Sequence, residues 1–449
     1  MQFRGLLIAA AALGLLGGLV WWSNKAEATK QTAADPNAPP KIIEIAADKI
    51  QKVNITKEGE TTTLERAADN RYRLLAPKEL AADQDAASGV FTSLTSFIAD
   101  RVIEEKGGQL SAYGLDKPTL TVAVIQKDGK LVNLFIGDDT PTSGSSFAKL
   151  EGDPRIFTIA SHNKASLDKN WKDLRDKRLL TFDSEKLSRL ELTTKGQTVE
   201  FGKNTNGEWQ IVKPRPLRAD GNQVEELLRK LKDAKMDTSL PDEEAKKTAS
   251  KFASATLVAT ANATDASGRQ TIEIRKDKDN NFYAKSSAVE GVHKLTADIG
   301  EGVNKSLDDF RNRKLFDFGW TDPGRIDIKD GATARTFTKT GDKWKSDGKD
   351  MDSTSVQAMV DKLREMSAIK FADKAAGEVT FEATVATADG KRTEKVSIYK
   401  SANSYFAVRD KEPSVYEVDG KFVEDLRRAA ADVKAPPPPA AAQKDQKKK

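Results

Sequence analysis

Several residue types that carry catalytic chemistry are absent or scarce in this chain of 449 residues. It contains no cysteine, which excludes disulfides, thiolate metal sites, a cysteine nucleophile and a lipidated cysteine. Only two histidines occur, so most imidazole chemistry is excluded as well. No phosphate-binding loop, zinc spacing or nucleophile–base set occurs in the sequence. We therefore expect no catalytic residue, metal or cofactor, and a protein that is not an enzyme.

The excess of positive charge is also small, and it lies at one end of the chain. The net charge is +5, and residues 434–449 contribute +4 of it through five Lys against one Asp. A nearly neutral body lacks the basic stripe that binding of duplex nucleic acid requires, so we expect no nucleic-acid partner. Pro436–Pro439 favours extended backbone, which predicts a disordered Pro/Lys-rich tail over residues 434–449.

One long apolar run lies near the start of the sequence, at Gly5–Trp22. As a helix, its 18 residues would span about 27 Å, and Trp21 and Trp22 suit a membrane interface. This pattern predicts a transmembrane signal-anchor over residues 1–24 and a linker over residues 25–41. The body would then lie outside the cytoplasm, tethered to the membrane by a single pass. Ala26-Glu27-Ala28 keeps open the alternative of a cleaved signal peptide.

The body shows an internal repeat with a period near 136 residues. Asp83, Asp220 and Asp352 are predicted helix N-caps, each followed by apolar residues 4, 7, 8 and 11 positions later. These apolar positions are Ala87, Val90, Phe91 and Leu94; Val224, Leu227, Leu228 and Leu231; and Val356, Met359, Val360 and Leu363. The spacing predicts one amphipathic helix in each copy, with its apolar face buried.

Strand signals surround each predicted helix. Alternating apolar residues precede it, and turn pairs such as Asp128-Gly129, Ser267-Gly268 and Asp389-Gly390 predict hairpins after it. A second helix is predicted to close each copy. We therefore expect an α+β fold: three tandem repeats of a mostly antiparallel strand-helix-strand unit, preceded by one N-terminal transmembrane helix. The predicted repeat domains span residues 42–183, 184–317 and 318–433.

Three strings in the first copy carry a family resemblance. They are Tyr113-Gly114-Leu115-Asp116-Lys117-Pro118, Ile136-Gly137-Asp138-Asp139-Thr140-Pro141 and Leu174-Arg175-Asp176-Lys177-Arg178-Leu179-Leu180. In this order the sequence resembles the bacterial family called domain of unknown function 4340, well over residues 42–183 and more weakly to about 433. The resemblance implies a membrane-anchored periplasmic protein that accompanies an ABC-type transport system of the gliding-motility or auxiliary kind. It implies no activity and no binding residue.

Two groups of residues are candidate binding surfaces. The first is a polar segment, longer than its counterparts in the other copies, that could contact a ligand, a cation or a partner; a plain hairpin is the alternative. Its candidate residues are Gly137, Asp138, Asp139, Thr140, Ser143 and Gly144. The second is a basic rim between domains, for which cations that neutralise the helix dipole are the alternative. Its candidate residues are Arg175, Lys177, Arg178, Arg311, Arg313 and Lys314.

Together these features predict a non-enzymatic accessory or scaffold subunit of an ABC-type transport complex. It would be anchored in the membrane, lie in the periplasm and bind protein partners. The alternative is a cell-envelope module that binds glycan or peptide ligands in the seams between repeats.

Overall fold

The computed structural model describes residues 39–141, 144–238 and 242–437 of the chain. The predicted anchor over residues 1–24, most of the predicted linker and the tail beyond residue 437 lie outside the described residues. Within the described ranges, no helix has both the length and the apolar composition needed to cross a bilayer. The chain divides into two compact units, one that ends at Lys177 and one that begins at Arg178.

The unit that ends at Lys177 contains a small sheet and the first large sheet. The small sheet pairs β1 (Lys41–Glu44) with β6 (Ser96–Ile98). The first large sheet has nine strands in the order β5-β4-β3-β2-β8-β9-β10-β11-β7. Its strands are β2 (Ile50–Lys57), β3 (Glu60–Arg66), β4 (Tyr72–Ala76), β5 (Leu80–Ala81), β7 (Arg101–Glu104), β8 (Leu120–Gln126), β9 (Leu131–Asp139), β10 (Ser145–Leu150) and β11 (Ile156–Ala160).

The unit that begins at Arg178 contains the second large sheet, whose eight strands have the order β15-β14-β13-β12-β16-β17-β18-β19. They are β12 (Arg189–Thr194), β13 (Gln197–Lys203), β14 (Trp209–Lys213), β15 (Leu217–Arg218), β16 (Thr256–Asp265), β17 (Gly268–Lys276), β18 (Phe282–Ser286) and β19 (Val292–Leu295).

The third large sheet lies in the same unit and has nine strands in the order β23-β22-β21-β20-β25-β26-β27-β28-β24. They are β20 (Pro323–Asp330), β21 (Thr333–Thr340), β22 (Lys343–Ser346), β23 (Lys349–Met351), β24 (Lys370–Ala372), β25 (Glu378–Thr387), β26 (Thr393–Ser401), β27 (Ser404–Arg409) and β28 (Val415–Val418). All three large sheets thus share one plan: a four-strand meander, a helix, and a second meander that pairs with the first strand of the first.

One buried helix packs on each large sheet, and these helices are Gln84–Ser93, Gly221–Asp233 and Ser353–Glu365. Asp83, Asp220 and Asp352 cap them as predicted, by accepting hydrogen bonds from backbone N–H groups of the first turn. The predicted apolar stripes are buried, which confirms them. Each buried Leu or Val side chain contributes about 1.5–3 kcal/mol to this packing.

The described residues contain six further helices, of which Gly420–Ala431 packs beside Ser353–Glu365. They are Ser161–Leu167, Trp171–Leu174, Asp242–Ser254, Ala297–Gly302, Leu307–Phe310 and Gly420–Ala431, with 3₁₀ turns at Ala47–Lys49 and Leu110–Tyr113. The closing helix predicted for each copy is therefore continuous in the third copy but broken into two short helices in the first and second. In the first copy Asn170 caps the second of these short helices, and in the second copy Ser306 does so.

The predicted α+β fold of strand-helix-strand units is wrong. Strands make up 44% and helices 22% of the structure, and the strands form four mostly antiparallel sheets. The helical stripes are strong local signals, whereas the sheets depend on pairings between distant segments, such as β2 with β8. Each helix therefore covers a sheet built from strands on both sides of it in sequence. The transmembrane helix that this prediction placed first falls on residues outside the described ranges.

Each large sheet has its own hydrophobic core. The first core runs from Ile42 to Leu174, the second from Leu179 to Phe310, and the third from Leu315 to Val433. The second core therefore begins with Leu179, Leu180 and Phe182, before the boundary predicted at residue 184. The predicted repeat-domain boundaries stay predictions.

Candidate functional site

Three of the residues predicted as a binding loop lie in a strand. Gly137, Asp138 and Asp139 belong to β9, and the turn is closed by a hydrogen bond from Thr140 N to Ser145 O at 2.9 Å. Gly144 lies in the turn, and Ser143 lies outside the described residues. The prediction of a long loop is wrong at residues 137–139, because ladder pairing with β10 extends β9 into polar sequence.

The first two strings of the family resemblance contact each other at this hairpin. A Cβ atom on Gly137 would overlap the Tyr113 carbonyl oxygen, and one on Gly114 would overlap the Asp138 carboxylate. The Tyr113 ring meets the Phe147 ring edge-on at 4.9 Å, and the Tyr113 hydroxyl donates to Glu104. Both glycines therefore allow the Leu110–Tyr113 turn to dock on β9, which is a structural role.

The Asp139 carboxylate of this hairpin is engaged within the chain. Asp139 Oδ1 accepts hydrogen bonds from Lys164 Nζ at 2.8 Å and Ser146 Oγ at 2.5 Å. Lys164 first, and then Ser146, hold the pKa of Asp139 below its usual value. Asp139, which the sequence suggested as a ligand-binding carboxylate, therefore already accepts hydrogen bonds from side chains of the protein.

The residues of the predicted basic rim are divided between the two units. Arg175 and Lys177 belong to the first unit, and Arg178 begins the second. Arg175 lies 5.8 Å from the Trp171 ring centroid, and burial lowers the pKa of its guanidinium. Arg178 forms an antiparallel backbone bridge with Lys235.

Arg311 contradicts the rim most directly, because it is buried. Its guanidinium lies 3.4 Å from the Phe371 ring centroid and donates to Asp308 Oδ1 and Ser414 Oγ, each at 3.0 Å. Arg311 therefore links the second and third sheets and is not available to a partner. The cause is the chain path, since Arg311–Leu315 pairs with Arg218–Ala219 on one side and with Met366–Ala368 on the other.

The other two predicted cations, Arg313 and Lys314, line a cleft of about 430 Å³ that we call the Trp209 cleft. Its walls come from the start of β14, the first turn of the helix Gly221–Asp233, and the segment 312–317. Arg392, which immediately precedes β26, closes one side. The cleft therefore lies where the second and third sheets meet.

A buried polar network backs this cleft, and it was missed by the sequence reasoning. Arg218 Nε lies 2.9 Å from Glu412 Oε1, and its Nη2 donates to the Tyr416 hydroxyl at 3.2 Å. Arg218 Nη1 lies 3.5 Å from Asp317 Oδ2. Glu412 and Tyr416 come from the third sheet and its connections, so these contacts fasten the two sheets together.

A second layer of the network continues behind Glu412. Arg409 Nε lies 2.8 Å from Glu412 Oε1, and Arg409 Nη2 lies 3.4 Å from Glu394 Oε1. Glu394 also accepts from the backbone N–H of Asp317 at 2.7 Å, and Arg409 donates to the Leu315 carbonyl oxygen. Because buried charges need such partners, the network is a fixed element of the unit.

The network also shifts proton affinities. Burial opposes the charge of Glu412, but Arg218 and Arg409 outweigh it and hold the pKa of Glu412 below its usual value. Burial raises the pKa of the Tyr416 hydroxyl. One sequence signal could have pointed here: Arg218 stands two residues before its capping Asp220, where the first copy has Ala81 before Asp83.

An exposed tryptophan is the second feature that the sequence reasoning missed. Trp320 is 89% exposed, on the segment that leads into β20. Arg364 fixes this segment by donating to the carbonyl oxygens of Gly319 at 2.8 Å and Trp320 at 3.4 Å. The Arg364 guanidinium lies 5.5 Å from the Trp320 ring centroid and is itself paired with Asp361 at 2.6 Å.

Comparison with known proteins finds one family. The model of a family described as a domain of unknown function (DUF4340) matches residues 73–251 and, again, residues 209–384. The two matches begin 136 residues apart, which is the period of the internal repeat. No curated protein and no solved structure matches the chain.

Proposed function

We propose that this chain, which belongs to the DUF4340 family, is a non-enzymatic accessory or scaffold subunit of an ABC-type transport complex. Its body would lie on the periplasmic side of the inner membrane and bind a protein component of the complex. The apolar sequence of residues 5–22 supports the membrane location. The exposed Trp320 supports the protein contact and is the observation that carries the proposal.

Trp320 has the properties of an interface anchor. Large exposed aromatic side chains dominate the binding energy of many protein interfaces, and Trp is the residue most enriched among them. Arg364 already holds the backbone of this segment, which reduces the backbone entropy that is lost on binding. In the second copy the corresponding residue is Ser184, 136 positions earlier, which accepts from Lys232 at 3.4 Å. The second copy therefore lacks this anchor.

Affinity purification from crosslinked native membranes tests the protein contact. We expect the wild-type chain to recover a component of an ABC-type transporter, and Trp320→Ser to lose most of it. Leu257→Ser is the matched control, because Leu257 is also an exposed apolar residue of this unit. Recovery of the chain alone, or equal recovery by the wild-type and Trp320→Ser proteins, would contradict the proposal.

The location is tested separately through the absence of cysteine. A single Thr205→Cys substitution places one thiol on an exposed turn in a chain that otherwise has none. A maleimide that cannot cross the inner membrane should label this thiol in cells with a permeabilised outer membrane. Labelling that requires lysis of the inner membrane would place the body in the cytoplasm instead.

A further inference from the structure

The Trp209 cleft has the dimensions of a small-ligand site. Its volume of about 430 Å³ falls within the range of roughly 300–1,000 Å³ that is usual for such sites. The Arg218 network fixes its back wall, and the capped helix Gly221–Asp233 fixes one side. The cleft is therefore formed before any ligand arrives.

The carboxylates that line the cleft are all engaged within the chain. Glu225 accepts from Trp209 Nε1 at 2.6 Å, and Asp317 accepts from Asn312 Nδ2 at 2.8 Å. Glu208 accepts from Asn204 Nδ2 at 2.9 Å, and Asp220 caps the helix. These four carboxylates therefore already accept hydrogen bonds from groups of the protein itself.

Three cations of the lining are not balanced in this way. Lys203, Arg313 and Lys314 form no ion pair with any residue in the described part of the chain. Lys203 Nζ lies 4.7 Å from the Trp209 ring centroid, and Arg313 donates to the Ile369 carbonyl oxygen at 3.2 Å. The cleft is therefore complementary to an anionic group placed beside an aromatic wall.

The uncharged lining favours a ligand rich in hydroxyl groups. The half-buried Trp209 ring offers a flat apolar surface, and the side-chain amides of Gln210 and Asn222 have no hydrogen-bond partner among the described residues. An amide both donates and accepts, as a hydroxyl does. A sugar ring has one apolar face and a rim of hydroxyls, so it matches both kinds of surface.

An extended peptide fits less well, because the strand edge at the cleft is already occupied. Ala219 is bridged to Arg311, and Asn312 N donates to Arg218 O at 3.0 Å. A peptide therefore cannot add a strand beside β15. We propose that the Trp209 cleft binds an acidic saccharide, with its carboxylate held by Lys203 and Lys314 and its ring lying on Trp209.

Calorimetric titration of the full chain at low salt tests this proposal. The probe is tetragalacturonate; cellotetraose is the neutral control of equal length, and tetraglutamate is the acidic peptide control. We expect tetragalacturonate to bind, to bind more tightly than either control, and to shift the indole N–H resonance of Trp209 in an NMR spectrum. No binding, equal binding of cellotetraose or preference for tetraglutamate would each overturn the proposal.

Matched lysine variants locate the site. The double variant Lys203→Gln/Lys314→Gln should weaken tetragalacturonate binding by at least about tenfold, the loss of one or two charge-assisted contacts. Lys285→Gln/Lys349→Gln removes the same charge from exposed positions outside the cleft and should leave binding unchanged. An equal loss in both double variants would show that the interaction is only general electrostatic attraction and would overturn the assignment. The proposal does not depend on a transport partner.

Discussion

The first and second large sheets share the order of eight strands but place different chemistry at the same point. In both, an aromatic residue starts the third strand of the sheet in chain order, beside the first turn of the buried helix, and a cleft lies there. The aromatic residue is Tyr72 in the first sheet and Trp209 in the second, each 11 residues before its capping aspartate. What differs is how the protein itself fills the cleft.

In the first sheet, side chains of the protein hold Tyr72. Gln84, the first helical residue, accepts from Tyr72 N at 2.9 Å and donates to Tyr72 O at 3.0 Å. Arg66 donates to the Tyr72 hydroxyl at 2.8 Å. In the second sheet the corresponding residues are Gly221, which has no side chain, and Lys203, which forms no ion pair with a described residue.

The repeated backbone thus fixes where a cleft forms in these two sheets, while a few polar residues decide whether it is filled. Arg218 stands where the first sheet has Ala81, so the second sheet alone gains the network that fastens it to the third. A second difference lies in the strands that contain Gly137 and Arg275. Gly137 in the first sheet leaves room for the Leu110–Tyr113 turn. Arg275 occupies the matching position of β17 and donates to the carbonyl oxygens of Phe252 and Ala255.

The largest effect is expected when Arg218 is replaced by alanine, the residue at the corresponding position of the first sheet. Arg218→Ala should lower the free energy of unfolding of the second unit by about 3 kcal/mol, because Glu412 loses a largely buried cation. Urea denaturation measures this loss. Arg73→Ala is the control, since Arg73 is exposed and its ion pair with Asp69 is 3.9 Å long; it should change stability by less than about 0.5 kcal/mol. Equal effects of the two variants would contradict a structural role for the network.

The next effect concerns the glycine that distinguishes the first sheet. Gly137→Ala should destabilise the first unit by about 2 kcal/mol, because the new Cβ overlaps the Tyr113 carbonyl oxygen and displaces the docked turn. Thermal unfolding checks the direction. Gly89→Ala is the control, because a Cβ at this exposed helical position meets nothing within 4 Å and should instead stabilise by about 0.5–1 kcal/mol. The account fails here if Gly137→Ala is neutral.

A pH series sharpens the comparison between the wild-type protein and Arg218→Ala. The pKa of Glu412 is lower in the folded protein than its ordinary value of 4.5. Its stabilising contribution is therefore present above pH 4.5 and is lost as the pH falls through the folded-state pKa. We expect the stability gap between the two proteins, measured by urea denaturation, to narrow as the pH falls below that value. A gap that widens on acidification would contradict the assignment of Glu412 as an ionised partner.

The smallest effect is expected when a glutamine closes the Trp209 cleft, as Gln84 does at Tyr72 in the first sheet. Gly221→Gln should stabilise the second unit by about 0.5–1 kcal/mol, because it removes a helical glycine, and its side chain should reach the Trp209 backbone. A Cβ there meets only Trp209 Cδ1, at 3.9 Å. Gly221→Ala is the control that gains stability without closing the cleft. Tetragalacturonate binding should weaken in the Gln variant and persist in the Ala variant; the reverse order would contradict the comparison.

The elements that could be predicted from sequence are those encoded by nearby residues. The stripe Val224, Leu227, Leu228 and Leu231 predicted its helix because helical neighbours lie three and four residues apart. The hairpin turn at Asp128-Gly129 was equally local. The proportion of strand to helix was predicted wrongly, because strands pair with segments that are distant in sequence, as β12 does with β16.

The candidate site depended still more on distant contacts. Arg218 and Glu412 are 194 residues apart, so no spacing rule connects them. Arg313 and Lys314 were predicted as part of a basic rim, and the structure places both at a cleft. Arg311 in the same run is instead buried under Phe371. Alternate residues of one run thus have opposite environments, and only the pairing of Arg311–Leu315 with two sheets decides which are exposed.

Site-specific photocrosslinking in intact cells tests the proposed function most directly. A photoreactive amino acid would replace Trp320 in one protein and Ser184, its counterpart in the second copy, in another. The account predicts an adduct between position 320 and a component of an ABC-type transporter, with little or none from position 184. Adducts of equal yield from both positions, or none from position 320, would contradict a partner-binding role for this surface.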